Sequence, residues 1–304
     1  MYILKTIPHE TIWGGEKLKR YSNNACDRIG HLYSLFDDPE WSNIILNGDY
    51  KGIDIHTFFS ENRDKLGLSG FERFPVVLAI VEAADSLSIQ VHPDDTVARE
   101  LEGAAWGKNE SWFFIGAPEE GWIYGGCTCD NHNDVHTLLD QNRGGEIADK
   151  VTIMQGDYVY VPAGTLHAMT TGSFVYEIEE NSEYTYRFYD YDRRDSEGNK
   201  RELHIDKAMK ALHPNNTPVI SRYSDEEIQE RLYYTRLLDH SIGYTNVSDT
   251  IECITALNPD CKEQYEGADI SFGTTVLMLP GESMNMELGR IMMARPKGIN
   301  SIKG

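Results

Sequence analysis

The segment GDYVYVPAGTLH, residues 156–167, decides the fold of this chain. Its opening Gly-Asp pair predicts a tight turn, YVYV at 158–161 consists of strand formers, and Pro-Ala-Gly at 162–164 predicts a second turn. His167 then opens the next strand. A β-hairpin of this kind holds one imidazole rigidly at the mouth of a β-barrel, where a metal ligand is useful. The alternative is a hairpin with an incidental histidine.

Polar and apolar side chains alternate in a second segment, SLSIQVHPDD at 86–95. The period of two residues in a strand puts Ser88, Gln90 and His92 on one face. Neutral imidazole and amide oxygen can both bind a divalent cation. A polar strand face is also typical of a solvated surface, so this segment alone does not define a site.

A third segment, GKNESWFFI at 107–115, supplies a carboxylate. Lys108 and Glu110 share a strand face. Two histidines and a carboxylate, with room for water, are the ligands expected of an open catalytic zinc site. Glu110 alone would be interpreted as a surface residue, but together the three segments predict a divalent metal site.

The composition excludes several classes of protein. The 304 residues suffice for one large β domain or two smaller ones, and the formal net charge of -21 argues against nonspecific binding to nucleic acid or an anionic membrane. An anionic small substrate remains compatible, because it needs only a local cluster of cations. No stretch approaches about 18 apolar residues, and the amino-terminal residues lack a signal-peptide core, so we expect a cytoplasmic protein.

The cysteines agree with that compartment. They form an odd and scattered set of five, Cys26, Cys127, Cys129, Cys253 and Cys261. Reduced thiols are the simplest interpretation.

Turn signals and short apolar runs predict a mainly β fold. FPVVLAIVEAA at 74–84 predicts a buried strand. Short strands with turns at this density are typical of a β-sandwich or a closed jelly roll. Helical insertions are predicted at about 51–70, 93–106 and 131–150.

The pattern changes in the last third of the chain. RELHIDKAMKAL at 201–212 predicts an amphipathic helix with His204 on its surface, and residues 214–235 predict a linker with some helix. Strand-like segments return at 236–304. The predicted domains are therefore a metal-binding domain at 1–212 and, at 213–304, a linker helix followed by a second, metal-free β module.

One arginine lies in a run of aromatic residues, YEIEENSEYTYRFYDYDRR at 176–194. Arg187, flanked by aromatics, would be held in one orientation, in which it can face a polyol or an oxyanion. Glu177 and Arg187 could then face one cavity. The alternative makes Arg187 a structural partner of Asp190 or Asp192.

Taken in order, these segments resemble the type I mannose-6-phosphate isomerases in their short bacterial form. The resemblance is carried by SIQVHPDD, GKNESWFF, GDYVYVPAGTLHA, EIEENSEYTYRFYDYDR and RELHIDKA, and by IWGGEKL at 12–18. It is strong from about residue 74 to residue 212 and loose after residue 236. The hairpin alone would indicate only the wider cupin superfamily.

The resemblance implies a cupin jelly roll that holds one zinc ion per chain and binds a phosphorylated hexose, as a monomer or weak homodimer. The implied zinc ligands are His92, Glu110, His167 and, as the fourth, Gln90. The implied positions near the substrate phosphate are Ser88 and Lys108. The implied catalytic residues are Arg187, the active-site arginine, and Glu177, which lines the same pocket.

The resemblance also implies a reaction, the interconversion of mannose 6-phosphate and fructose 6-phosphate. A proton would move between C1 and C2 through a cis-enediol. Zinc would polarise the carbonyl as a Lewis acid, and Arg187 would add a fixed positive charge beside the diol oxygens. The proton-transferring base stays open between Glu177, a zinc-bound hydroxide and a histidine brought in by folding.

The chain departs from the family pattern at three places. The usual Gly-Glu-x-Trp near the first strand is Gly30-His31-Leu32-Tyr33, the usual Gln-Gln is Glu179-Glu180, and the usual Asp-Thr-Thr-Tyr-Arg is EYTYR at 183–187. Alternation puts Glu179 on the side of Glu177. If these added acids face the pocket, we expect them to disfavour a phosphorylated ligand. The changes concern the preferred substrate more than the metal site.

Three other functions are compatible with a cupin. An isomerase or epimerase of another sugar is one, although Ser88 and Lys108 favour a phosphorylated aldose. A noncatalytic sugar-binding cupin would not need an open zinc site or Arg187. An iron-dependent dioxygenase usually has more histidine ligands and has no role for the arginine segment.

Overall fold

The structure is a computed structural model that describes residues 1–22, 27–195, 197–224, 226–239 and 243–302. Within these residues short strands predominate and the helices are few, which confirms the predicted mainly β class. Contacts divide the chain into two compact units: a first unit of Met1–His9, Lys17–Ile80 and Tyr223–Gly304, and a second unit of Glu10–Glu16 and Val81–Arg222. The boundary proposed between residues 212 and 213 stays a prediction.

The strands up to residue 222 are β1 (Tyr2–Ile3), β2 (Ile7–Gly15), β3 (Ile29–Leu35), β4 (Val76–Glu82), β5 (Ile89–Val91), β6 (Glu110–Gly116), β7 (Trp122–Cys127), β8 (Ala148–Thr152), β9 (Asp157–Val161), β10 (His167–Ala168), β11 (Phe174–Glu180), β12 (Tyr186–Tyr189) and β13 (Val219–Arg222). Those after it are β14 (Ile228–Gln229), β15 (Tyr233–Leu238), β16 (Tyr244–Thr245), β17 (Glu252–Ala256), β18 (Lys262–Tyr265), β19 (Ala268–Ser271), β20 (Thr275–Met278), β21 (Ser283–Met284) and β22 (Ile291–Pro296).

A helix lies inside each segment predicted as a helical insertion. The α-helices of the described residues are α1 (Ile55–Asn62), α2 (Asp95–Glu102), α3 (His132–Asp140) and α4 (Ile205–Ala211). The first three begin at capping side chains that accept backbone N–H groups, those of Asp54, Asp94 and Asn131. None of the described helices is long and apolar enough to cross a membrane.

Two antiparallel sheets of the second unit face each other. One has the strand order β12-β5-β10-β7-β8, and in the other β13, β9, β6 and β11 are neighbours in that order. Most neighbours are not consecutive in the chain, as is usual in a jelly roll. The sandwich confirms the predicted fold class, and contacts of His92 and His167 with Glu110 cross between its sheets.

Alternation along β5 separates apolar from polar side chains, as predicted. Ile89 and Val91 are fully buried in an apolar cluster that includes residues of α4. Burial of each such side chain contributes about 1.5–3 kcal/mol to folding. Gln90 therefore projects from the opposite face of the strand, toward the facing sheet.

The segment 156–167 has the predicted turns, with β9 before the second turn and His167 at the start of β10. The prediction of a β-hairpin is wrong, because β9 pairs with β6 and β13 in one sheet whereas β10 pairs with β5 and β7 in the other. The turn at 162–164 therefore carries the chain from one sheet to the other. Gly164 has a φ of +81°, and a Cβ there would overlap the ring of His213. Only glycine fits both conditions. The N–H of Gly164 donates to the carbonyl oxygen of His92 at 2.8 Å, so the turn is fastened to the end of β5.

The span 214–235, for which the sequence predicts a linker with some helix, is built differently. Its described residues hold β13, β14 and the start of β15, and no helix. Val219 and Ile220 are β-branched, and β13 pairs along its length with β9. Pairing with a neighbouring strand thus determines the secondary structure of this span. The polar composition of the span does not reveal that pairing.

The first unit is built on a six-stranded sheet with the order β1-β20-β17-β22-β15-β14. Its core contains aliphatic and methionine side chains from neighbouring strands, including Ile254, Val276 and Met293. The two clusters of ligand-type side chains found among the described residues both lie in the second unit. The candidate site therefore lies within that unit.

Candidate metal centre

Three buried side chains converge between the two sheets of the second unit. His92 follows β5, Glu110 begins β6 and His167 begins β10. Nε2 of His92 lies 3.1 Å from Oε2 of Glu110, and Nε2 of His167 lies 3.2 Å from Oε1 of the same carboxylate. One ligand-type atom from each residue lies within 4.8 Å of the others.

Backbone oxygens fix the orientation of both imidazoles. Nδ1 of His92 lies 2.9 Å from the carbonyl oxygen of Tyr184, and Nδ1 of His167 lies 2.8 Å from that of Thr165. A carbonyl oxygen only accepts, so each Nδ1 carries the proton and donates. Each Nε2 then presents its lone pair toward Glu110, which is the arrangement of metal-binding histidines.

The protonation states also suit a metal ion. Burial, followed by the charge of Lys108, lowers the pKa of His92 to about 4. Burial by itself would raise the pKa of Glu110, but the groups packed around it, the ammonium of Lys108 among them, hold it well below its usual value. A neutral imidazole and an ionised carboxylate are the forms that bind metals. This donor set fits a divalent ion of the zinc type.

Gln90 lies on the same rung of the sheet as two other predicted site residues. It pairs with His167 on one side and with Arg187 on the other. Its Nε2 lies 3.5 Å from Nε2 of His167, and its Oε1 accepts a hydrogen bond from Oγ of Ser88 at 3.0 Å. A half-turn of the amide exchanges these two atoms and turns the oxygen toward the imidazoles. Gln90 is thus adjacent to the cluster, and Ser88 is adjacent to Gln90.

Lys108 is buried beside the carboxylate of the cluster. Its Nζ lies 3.5 Å from Oε2 of Glu110 and 2.8 Å from Oε1 of Glu179. Burial by itself would lower the pKa of Lys108, but the nearby carboxylates, Glu179 first, outweigh burial and raise it. Lys108 is therefore a permanent cation at the edge of the cluster.

A glycine explains how the loop before β6 is held. A Cβ on Gly107 would overlap the carbonyl oxygen of Pro93, and the N–H of Lys108 donates to that oxygen at 3.0 Å. The loop is thus docked on the turn that follows His92. Two of the segments singled out in the sequence are joined at this point.

Glu177 is buried and oriented by a tryptophan. Nε1 of Trp112 donates to Oε1 of Glu177 at 2.9 Å, and the two residues are direct cross-strand partners in β6 and β11. Burial, followed by Glu179 and Glu110, raises the pKa of Glu177 well above its usual value. This carboxyl group therefore takes up a proton more readily than an exposed one.

Arg187 differs from the arginines that follow it in the chain. Asp190 is bound by Arg193 and Arg201, and Asp192 is bound by a lysine at 2.6 Å. Arg187 is half-buried, and its Nε makes no hydrogen bond with any of the described residues. The structure thus gives the neighbouring aspartates other partners, and Arg187 keeps donors available beside Gln90.

Asn109 is a site residue that the sequence pattern does not single out. Its backbone N–H and its Nδ2 donate to Oε2 of Glu180 at 3.1 Å and 2.7 Å. Its Oδ1 accepts from the N–H of Ala163 at 2.8 Å. Asn109 therefore ties the loop before β6 to β11 and to the turn between β9 and β10. Its position between Lys108 and Glu110 is the signal that could have identified it.

Two other histidines occupy structural positions. His204 precedes α4 at its N-cap, where its Nδ1 accepts the backbone N–H of Arg187 at 3.2 Å. The sequence predicts it on the helix surface, but the helix begins one residue later. His31 belongs to the first unit, where its ring stacks on Tyr33 with centroids 5.2 Å apart.

Known proteins resemble this chain in sequence and in structure. The profile of the family described as phosphomannose isomerase type I, catalytic domain, matches residues 1–121. Mannose-6-phosphate isomerase ManA of Bacillus subtilis is 32% identical over 248 residues, which cover 80% of this chain and 78% of the relative. The mannose-6-phosphate isomerase of Streptococcus mutans is 34% identical over 211 residues, covering 69% and 66% of the two chains.

The fold comparison covers almost the whole chain. The crystal structure of the mannose 6-phosphate isomerase from Bacillus subtilis matches with a TM-score of 0.83 and 26% identity, over 96% of this chain and 98% of the other. A putative mannosephosphate isomerase from Archaeoglobus fulgidus shares the fold, with a TM-score of 0.73. On the sequence and structural likenesses together, the chain belongs to the type I phosphomannose isomerase family.

Proposed function

We propose that this chain interconverts mannose 6-phosphate and fructose 6-phosphate, with one zinc ion held by His92, Glu110 and His167 and by Gln90 as the fourth ligand. One observation carries the proposal. Two buried imidazoles, each fixed through Nδ1 by a backbone oxygen, turn Nε2 onto one buried carboxylate. The activity named for the relatives supports the reaction.

The reaction moves a proton between C1 and C2 of the sugar through a cis-enediol. The proton is weakly acidic, because the negative charge that develops on the sugar oxygen is costly. Bound zinc supplies Lewis-acid polarisation of the carbonyl. The remaining tasks, which are proton transfer, charge stabilisation and substrate orientation, belong to side chains of the chain itself.

Glu177 is our choice for the proton transfer. Its hydrogen bond from Trp112 fixes the carboxyl group, and burial raises its pKa. A base with a raised pKa accepts a carbon-bound proton more readily and can return it to the neighbouring carbon. The same group would thus serve both halves of the isomerisation.

Arg187 is our choice for charge stabilisation beside the metal ligands. Its side chain shares a rung with Gln90, and its Nε is buried without a hydrogen-bond partner among the described residues. A fixed guanidinium already in place need not reorganise as negative charge develops on the diol oxygens. This property would lower the barrier of the proton transfer.

Lys108 and Ser88 would bind the substrate phosphate and so orient the sugar. A buried ammonium binds phosphate as a point charge, and a hydroxyl adds a hydrogen bond. Both residues lie beside the metal ligands, at Glu110 and Gln90 respectively. Binding energy from the phosphate would position C1 and C2 for reaction.

Proton NMR of the zinc-loaded protein with mannose 6-phosphate in deuterium oxide tests this proposal. We expect fructose 6-phosphate to form and solvent deuterium to appear on carbon, because Glu177 would exchange its proton with solvent. Product without any carbon-bound deuterium would contradict transfer through an exchanging base. Substrate binding without product would instead support a sugar-binding protein.

We infer that the chain works in the cytoplasm, where thiols stay reduced. The cysteines in the described part of the chain, Cys127, Cys129, Cys253 and Cys261, are free. Cys26 lies outside the described residues. Free thiols are usual in that compartment.

A further inference from the structure

We propose that Glu179 sets the preference of this site between sugar phosphates and neutral sugars, because it holds the ammonium of Lys108 in an ion pair that an incoming phosphate must share or break. The inference rests on the proposed function, in which Lys108 receives the phosphate.

The strand register places Glu179 at the cluster. Glu179 in β11 lies directly opposite Glu110 in β6. Like charges in direct cross-strand pairs are destabilising, so this pair needs a cation. The ammonium of Lys108 supplies it, at 2.8 Å from Glu179 and 3.5 Å from Glu110. Its positive charge is therefore already shared between two carboxylates.

Little water reaches the ion pair to screen it. The Lys108 side chain is 8% exposed and that of Glu179 is 15% exposed. Oxygens of Glu110, Glu177 and Glu179 also lie within 4.8 Å of one another, so three carboxyl groups surround one ammonium, and Glu110 and Glu179 pair with it directly. The carboxylates repel a phosphate that approaches Lys108. The repulsion is strong because the effective dielectric constant of a buried site is lower than that of water.

A neutral sugar interacts differently with the ion pair of Glu179 and Lys108. Its hydroxyl groups can donate to the Glu179 carboxylate and accept from the Lys108 ammonium without displacing either. The ion pair therefore penalises an anionic group and accommodates an uncharged one. Glutamine at residue 179 would keep the shape and an oxygen acceptor for Lys108 but remove the negative charge.

The test is Glu179→Gln in the zinc-loaded protein, assayed with mannose 6-phosphate and with mannose. We expect kcat/KM for the phosphate ester to rise about tenfold, chiefly through KM, because one nearby carboxylate charge is removed. The kcat/KM for mannose should not rise. The inhibition constant of inorganic phosphate should fall by a similar factor, and calorimetry with phosphate gives the same affinity without turnover.

Two comparisons isolate the ion pair. Glu183→Gln removes the same charge from an exposed position in the same segment and should leave the substrate ratio unchanged. In a Lys108→Met background the effect of Glu179→Gln should disappear. If the glutamine variant folds poorly, Glu179→Ala takes its place in the test. It should shift phosphate affinity in the same direction.

The outcomes separate the two proposals. If neither sugar is isomerised by the wild-type chain, the proposed function fails, and phosphate calorimetry still tests the role of Glu179. If the sugar phosphate is isomerised but Glu179→Gln leaves the substrate ratio and phosphate affinity unchanged, the role of Glu179 is wrong and the proposed function stands.

Discussion

Replacing His167 by alanine is expected to lower isomerase turnover by about a thousandfold or more, since a bound metal ion contributes several kcal/mol to the transition state and about 1.4 kcal/mol is a factor of ten in rate. His167 presents Nε2 to Glu110, and no other described histidine besides His92 joins this cluster. Zinc content, measured on the purified variant by mass spectrometry, should fall well below one ion per chain.

His136→Ala is the matched control, since His136 is exposed on α3 in the same unit. It should keep full zinc content and turnover. Circular dichroism should show that both variants remain folded. A His167→Ala protein that keeps both its zinc and its turnover would place the metal ion elsewhere.

Replacing Arg187 by alanine is expected to lower kcat by about a hundredfold to a thousandfold, because a preorganised charge at the developing oxyanion is lost. Zinc content should stay at one ion per chain, since the guanidinium only neighbours Gln90, the proposed fourth ligand. Retained zinc with reduced kcat separates this role from that of His167. Steady-state kinetics together with metal analysis makes the measurement.

Arg143→Ala controls for the loss of a guanidinium, because Arg143 is exposed and paired with Glu146. It should behave as wild type. If Arg187→Ala keeps normal kcat with zinc bound, Arg187 has no catalytic part. If zinc is lost as well, the arginine supports the metal site and its effect on rate is indirect.

The candidate cluster could be predicted because its signals are local. A turn signal before a short strand places His167, and alternation along another short strand places Gln90 and His92 on a common face. The jelly roll also follows from short strands separated by frequent turns. None of these inferences needs to know which strands are neighbours.

Cross-strand register lies beyond such local patterns. That Gln90 pairs with both His167 and Arg187 depends on strands far apart in the chain. The same holds for the opposition of Glu110 and Glu179, which creates the ion pair with Lys108. Alternation puts Glu179 on the side of Glu177 but does not reveal its partner.

For the span 214–235 the prediction of a linker with some helix is wrong. Its polar residues resemble a linker, yet β13 forms there because β9 offers an edge to pair with. The sequence does not single out Asn109 for a related reason, since its hydrogen bonds reach residues distant in sequence. Both features depend on tertiary contacts, which composition and periodicity do not contain.

The central claim, that this chain is an isomerase whose reaction needs the metal at His92, Glu110 and His167, is tested most directly by zinc titration. Protein stripped with a chelator is assayed with mannose 6-phosphate in a coupled assay for fructose 6-phosphate as zinc is added. We predict no turnover without metal and full turnover at one equivalent per chain. Turnover that survives complete removal of the metal, or that never appears with zinc bound, would contradict the account.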